Sequence, residues 1–221
     1  MPDAPKIKFC GLTSLPDAQL ALQAGAWAIG LIFWPRSPRR CGVEDAAEIA
    51  AALKRQAEIV GVFVNPTLDE IARTADAVGL TMLQMHGDEG PAFCAEAGRR
   101  TGCKVIKAAR VRSGADIQSL AQFHTDYHLL DSYTKGVPGG TGETFAWEIA
   151  RDHRGSTPLI LSGGLIPGNV AEAISVVSPF AVDVASGVEL APGRKDPAKL
   201  RAFADAVAST AAPQQVEHCA R

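Results

Sequence analysis

The chain has 221 residues, 47% hydrophobic and 21% charged, with a formal net charge of −2 at pH 7. This is ordinary globular composition, and the length suits one α/β barrel or up to two smaller domains. Acids and bases are mixed along the chain without a basic stripe or polybasic segment, which argues against nucleic acid and membrane surfaces as partners.

The longest apolar runs, such as the one from Trp27 to Trp34, fall far short of a spanning helix. Met1-Pro2-Asp3-Ala4-Pro5 has no apolar signal core. The five cysteines (Cys10, Cys41, Cys94, Cys103, Cys219) are odd in number and lack C-x-x-C or zinc-finger spacing, so they read as reduced thiols of a cytoplasmic protein.

Residues 6–10 read as a short strand turned by Gly11-Leu12-Thr13. Thr13 or Ser14 can cap a helix reaching Gly25, with Leu15, Ala18 and Leu22 at helical spacing. Residues 27–33 form a near-continuous apolar run, as in a strand buried on both faces. A polar loop with Arg36, Arg39 and Arg40 leads to a helix over 43–55, then a strand over 58–64. The next helix opens at Thr67, with Asp69 and Glu70 matching the dipole of its first turn. Residues 81–85 form strand four, followed by His86-Gly87-Asp88 and a helix with Pro91 in its first turn. Strand five covers 104–108, its helix 115–123, and strand six 127–131. A Gly-rich loop over 132–144 precedes a helix near 145–151.

Strand seven, Pro158-Leu159-Ile160-Leu161, stops at Ser162-Gly163-Gly164-Leu165 before a helix opened by Pro167. Strand eight, Phe180 to Val184, stops at Ala185-Ser186-Gly187, and the last helix runs from about Pro197 to Val207. Small residues leave backbone N–H groups uncovered, and a helix N-terminus carries partial positive charge. Gly163, Gly164, Ser186 and Gly187 therefore suit a phosphate dianion.

Eight strands, each followed by a helix-length segment, imply a parallel sheet with right-handed crossovers. The glycines cluster after strands six, seven and eight. An open doubly wound sheet would carry them after strand one, so a single (β/α)8 barrel is expected over residues 1–208, with a frayed tail over 209–221.

In a barrel the chemistry sits where strands end. Those positions hold Cys10, the loop arginines, Asn65, Gln84 and His86, Lys107 and Arg110, Asp131 and Asp183. Cys10 is either a small buried hydrophobe or, near a phosphate site and arginines, a thiolate base or nucleophile. Asp131 is either a turn residue or a proton donor with a raised pKa. Asp183 could anchor a substrate hydroxyl or knit the barrel mouth. One of the three arginines can clamp a carboxylate or phosphate, since guanidinium offers bidentate contact. No second histidine stands at ligand spacing from His86, so no metal is expected.

Lys8-Phe9-Cys10-Gly11-Leu12-Thr13, Ser37-Pro38-Arg39, Leu83-Gln84-Met85-His86-Gly87-Asp88 and Leu129-Leu130-Asp131-Ser132 are stretches in which the chain resembles the phosphoribosylanthranilate isomerase family of tryptophan biosynthesis. They continue with Gly139-Gly140-Thr141-Gly142-Glu143-Thr144, Leu161-Ser162-Gly163-Gly164-Leu165, Val182-Asp183-Val184-Ala185-Ser186-Gly187 and Pro192-Gly193-Arg194-Lys195-Asp196. The resemblance spans residue 6 to about residue 207. It implies a cofactor-free, metal-free barrel that carries out an Amadori rearrangement of N-(5-phosphoribosyl)anthranilate. The general base would be Cys10 and the general acid Asp131. Arg39 would meet the anthranilate moiety, and Gln84, His86 and Asp183 would line the substrate. The implied partner is that small phosphorylated substrate, with the chain a monomer or homodimer. Phe9 stands where many members have Ile, and Ala146 where many have Asp; neither position carries the chemistry. The isomerase of histidine biosynthesis that performs the same rearrangement carries an Asp at the end of strand one, so Cys10 argues against it. A barrel that binds a sugar phosphate without turnover would not need both proton-transfer residues.

Overall fold

The computed structural model describes residues 4–53, 55–111, 113–131, 147–153 and 155–211. Eight parallel strands close into a barrel in sequence order, as expected: β1 (Lys6–Cys10), β2 (Ala26–Ile32), β3 (Glu58–Phe63), β4 (Met82–Met85), β5 (Lys104–Arg110), β6 (Tyr127–Asp131), β7 (Leu159–Ser162) and β8 (Ala181–Val184). Closure is the pairing of β8 with β1, from Lys6↔Ala181 to Phe9↔Val184. The outer layer is α1 (Leu15–Gln23), α2 (Val43–Leu53), α3 (Leu68–Val78), α4 (Pro91–Thr101), α5 (Gly114–Ser119), α6 (147–150), α7 (Val170–Val177) and α8 (Pro197–Ala208).

The helix starts follow local chemistry. Ser14 caps α1 by accepting from the Asp17 amide, and Thr67 with Glu70 forms a reciprocal capping box on α3. Pro91 occupies the first turn of α4. One expectation changes. The helix after β7 opens at Asn169 rather than Pro167, because the Asn169 side chain accepts from the Ile166 amide and closes a turn first. The last helix begins at Pro197 as expected, but the stretch before it, which carried no element in the sequence, holds a single 3-10 turn, Ser186–Val188, and an antiparallel hairpin, β9 (Glu189–Ala191) with β10 (Arg194–Lys195). The expected loop over 132–144, the start of the next helix, Ala146 and tail residues 212–221 lie outside the described residues.

Alternation along the strands sets what fills the barrel. Ala28, Val60, Met82, Ile106, Leu129, Ile160 and Ala181 pack together inside it. The residues two further along point the same way and rise toward the C-terminal mouth. Gln84, Asp131, Ser162 and Asp183 are therefore aimed there by period alone. On β1 the inward residues are Lys8, whose neighbours are Ala28 and Asp183, and Cys10, opposite Gly30. The other end is sealed by Trp27, Tyr127 and Phe180, which contact one another edge-on or tilted with centroids 5.4–5.6 Å apart.

Outside the barrel, Phe203 of α8 is fully buried against Phe9, 6.1 Å between ring centroids. Burying such a side chain contributes on the order of 1.5–3 kcal/mol. His128 on the outer side of β6 meets His153 at 2.9 Å, which ties the segment after α6 to the strand.

Candidate active site

A fully buried lysine inside a barrel needs a counter-charge. Lys8 Nζ donates to Asp183 Oδ1 at 2.7 Å, and Ser162 Oγ donates to Asp183 Oδ2 at 2.9 Å. Burial works against the Lys8 charge. The Asp183 carboxylate and Cys10 outweigh it and hold the ammonium above its usual range. Asp183 is only 5% exposed, with each oxygen already accepting from a neighbouring strand. Of its two expected roles, this geometry fits knitting the mouth.

Cys10 ends β1 beneath the opening and is itself buried. Its sulfur occupies the space a side chain on Gly30 would need: a Cβ there would stand 2.7 Å from Sγ. Burial pushes the thiol up; Lys8 and Lys195 pull it down, and Asp183 pushes it up again. The net direction is upward, so the resting group is a thiol. Desolvation exceeds the pull of the two ammonium groups. Cys41, Cys94 and Cys103 are also raised by burial.

Asp131 ends β6, opposite Arg110 of β5 and Ser162 of β7. His86 Nε2 faces Asp131 Oδ2 at 3.5 Å, and Gln84 Nε2 lies 2.8 Å from His86 Nδ1. With the Gln84 amide donating to Nδ1, the imidazole proton sits on Nε2, where it faces the carboxylate. Three residues chosen separately from the sequence thus form one chain. Gln84 is 1% exposed and its Oε1 has no hydrogen-bond partner. A buried carbonyl left so costs about 1–3 kcal/mol, which a donor on a ligand would recover.

Two other strand-end residues line the cleft beside the mouth and are held by neighbouring groups. Lys107 lies on the outer face of β5, donating to Glu89 Oε2 at 3.0 Å and to the Gly87 carbonyl at 2.8 Å. Asn65 Oδ1 accepts from the Asp88 amide at 2.7 Å. Both brace the turn that carries His86.

Of the loop arginines, Arg36 and Arg40 are exposed and Arg39 is half-buried. Arg39 Nε and Nη2 grip the Glu189 carboxylate at 2.8–3.0 Å. Glu189 Oε1 also accepts from Lys195 Nζ at 3.1 Å and from the Gly193 amide at 3.2 Å. Burial works against the Glu189 charge, yet Arg39 and Lys195 hold its carboxyl below the usual carboxylate range. Arg39 Nη1 has no hydrogen-bond partner among the described residues. Lys195 lies in one of the matching stretches, but neither it nor Glu189 receives a role from the sequence; the local signal is a charge on each side of the Pro192-Gly193 turn.

The two small-residue turns lie beside each other at the mouth. Gly163 and Gly164 both take left-handed φ, 92° and 66°, which other residues rarely adopt. Asn169 Nδ2 donates to the Gly164 carbonyl at 3.1 Å and braces that turn. The amides of Gly164, Ser186 and Gly187 find no acceptor among the described residues. Gly187 packs directly on the Leu165 carbonyl, so a Cβ there would overlap that oxygen. Gly187→Ala must push the turns apart. We expect it to weaken inorganic phosphate binding at least tenfold while circular dichroism stays native; unchanged affinity in a titration would remove phosphate from this position.

A cleft of about 880 Å³ opens at the same end of the barrel, bounded by Ile32, Trp34, Ser37, His86 and Arg110 among others. Among the described residues no group of three or more His, Cys, Asp or Glu side chains could hold a metal ion. None of their helices is long and apolar enough to cross a membrane.

Residues 7–206 match the family model described as N-(5′-phosphoribosyl)anthranilate (PRA) isomerase. The N-(5′-phosphoribosyl)anthranilate isomerase of Citrifermentans bemidjiense is 48% identical over 196 residues, 89% of this chain and 93% of that one. That of Pseudomonas savastanoi pv. phaseolicola is 48% identical over 209 residues, 94% of this chain and 99% of the relative. The crystal structure of phosphoribosyl anthranilate isomerase from Thermotoga maritima superposes with a TM-score of 0.82 at 40% identity, covering 93% of this chain and 99% of that one. A phosphoribosyl anthranilate isomerase in complex with reduced 1-(O-carboxyphenylamino)-1-deoxyribulose 5-phosphate superposes with a TM-score of 0.80 at 37% identity, over 93% and 99% of the two chains.

Proposed function

The chain belongs to the N-(5′-phosphoribosyl)anthranilate isomerase family, and from that premise we propose how its own residues carry the reaction. The enzyme converts N-(5-phosphoribosyl)anthranilate to 1-(2-carboxyphenylamino)-1-deoxyribulose 5-phosphate in tryptophan biosynthesis, an intramolecular redox isomerisation. The observation that supports the residue roles is the meeting of Cys10 from β1 and Asp131 from β6 at one barrel mouth, beside the two Gly turns.

Asp131 gives its proton to the furanose ring oxygen as the C1′–O bond breaks, and the anilino nitrogen lone pair closes a Schiff base to C1′. Cys10 removes the C2′ proton, and that electron pair neutralises the iminium to give an enolamine. The Cys10 thiol returns a proton to C1′, and the C2′ hydroxyl gives up its proton to the Asp131 carboxylate as the C2′ carbonyl forms, which yields the aminoketone and restores both groups. His86, held by Gln84, aims the Asp131 carboxyl. Gln84 Oε1 accepts from a ribose hydroxyl. Asp183 acts one step back, keeping Lys8 beneath Cys10 and Ser162 beneath the phosphate turn.

The amides of Gly164, Ser186 and Gly187, with the bend at Gly163, hold the 5′-phosphate. Binding energy at this non-reacting end places C1′ and C2′ between base and acid. Arg39 offers its outer Nη1 edge to the anthranilate carboxylate while Glu189 fixes the other edge. The test is to add purified protein to freshly made phosphoribosylanthranilate and follow loss of its fluorescence. We expect decay far faster than spontaneous breakdown, slowed competitively by inorganic phosphate. A decay no faster than in buffer would sink the assignment.

A further inference from the structure

Lys195 takes no part in the chemistry above, yet it is only 2% exposed and all three of its ammonium protons are used. Nζ donates to the Cys10 carbonyl at 2.7 Å, to the Ala185 carbonyl at 3.0 Å and to Glu189 Oε1 at 3.1 Å. These acceptors belong to three working parts of the mouth: the strand end bearing the base, the residue before the Ser186-Gly187 turn, and the carboxylate that grips Arg39. The hairpin that delivers Lys195 is anchored independently. The Lys195 amide donates to Asp17 Oδ2 at 2.8 Å, and Thr13 Oγ1 donates to the Gly193 carbonyl at 2.8 Å.

Around Cys10 stand Lys8 from β1, Asp183 from β8, Lys195 from β10 and Arg39 from the loop after β2, with Glu189 bound to the last two. Three cations face two carboxylates, so the cluster carries a net positive charge; a Cys10 thiolate would be its third anion, favoured by Lys8 first and by Lys195 after it. We propose that Lys195 is a positioning residue that couples Cys10 to the Arg39 clamp and supplies the counter-charge of the Cys10 thiolate. The roles of Cys10 and Arg39 rest on the isomerase reading; the contacts of Lys195 do not. Burial, with Arg39 beside it, outweighs the support of Glu189 and Cys10 and holds the Lys195 ammonium below its usual range; a thiolate at Cys10 strengthens that support.

The test uses the full chain and three variants, Lys195→Met, Lys195→Arg and Glu189→Gln. The first readout is the pH midpoint of iodoacetamide alkylation at Cys10, followed on the Cys10 peptide by mass spectrometry. The second is kcat and KM for phosphoribosylanthranilate. Lys195→Met should raise the alkylation midpoint by about one pH unit, a tenfold loss of thiolate at a given pH. It should also lower kcat about tenfold and raise KM several-fold. Glu189→Gln, which frees Arg39 but keeps both cations, should raise KM without raising the midpoint.

A folded Lys195→Met with the wild-type midpoint and KM overturns the proposal. So does a midpoint raised equally by Lys195→Met and Glu189→Gln, which would mark general loosening. If Lys195→Met does not fold, Lys195→Arg decides. It keeps the charge, so its midpoint should stay at the wild-type value while KM rises; a raised midpoint there overturns the proposal. Because alkylation needs no substrate, a wild-type protein without turnover would end the isomerase reading and leave this test standing.

Discussion

Cys10→Ala is expected to lower kcat by about 10²–10⁴-fold, the usual contribution of a positioned proton-transfer group, and to leave KM within a few-fold. Affinity is carried by groups that Cys10 does not touch, the phosphate turns and the Arg39 edge. Cys10→Ser should be nearly as slow, since a hydroxyl keeps the shape but holds its proton far above neutrality. The pH dependence carries a definite sign. Burial raises the Cys10 thiol above its ordinary value, so the active thiolate is the minor form at neutral pH. Activity limited by this base should therefore climb as pH rises toward the thiol pKa, and fall toward low pH. In Cys10→Ala that climb should vanish. The measurement is kcat/KM against pH, which reports ionisations of the free enzyme. Near-wild-type turnover in Cys10→Ala would end the assignment; Lys107 and Asn65, two other strand-end candidates, are already held by Glu89 and Asp88.

Barrel, strand order and mouth were legible in the sequence because period-two alternation and small-residue turns are local signals. Gln84, Asp131 and Asp183 could be placed at strand ends on the same ground, since each lies two residues beyond an apolar one that fills the barrel. Their partnerships were not legible. Lys8 meets Asp183 across 175 positions and Arg39 meets Glu189 across 150, and only barrel closure brings such residues together. The Cys10 thiol shows the same limit: its neighbours in sequence suggest nothing about desolvation, which dominates once β1 is enclosed. The hairpin β9–β10 hid behind Pro192-Gly193, a stretch too short for any hydrophobic period. It holds Lys195, the cation that no reading of strand ends would have nominated, because it comes after the last strand of the barrel.

Asp131→Asn should cost kcat about as much as loss of the base, again about 10²–10⁴-fold, but through a different step. An amide has the shape of the acid and still accepts from His86 Nε2, which faces this position at 3.5 Å in the wild type. The fold and the Gln84–His86 chain should therefore persist, with melting temperature and KM near wild type. What the amide lacks is a proton for the furanose oxygen, so ring opening becomes the slow step. Substrate deuterated at C2′ separates this variant from the Cys10 variants. In Cys10→Ser removal of the C2′ proton limits the rate, and deuterium should slow turnover by a full primary isotope effect. In Asp131→Asn the C2′ bond breaks after the slow step, and the effect should nearly disappear. A large isotope effect in Asp131→Asn with none in Cys10→Ser would exchange the two roles. Wild-type kcat in Asp131→Asn would return Asp131 to the turn residue it could also have been.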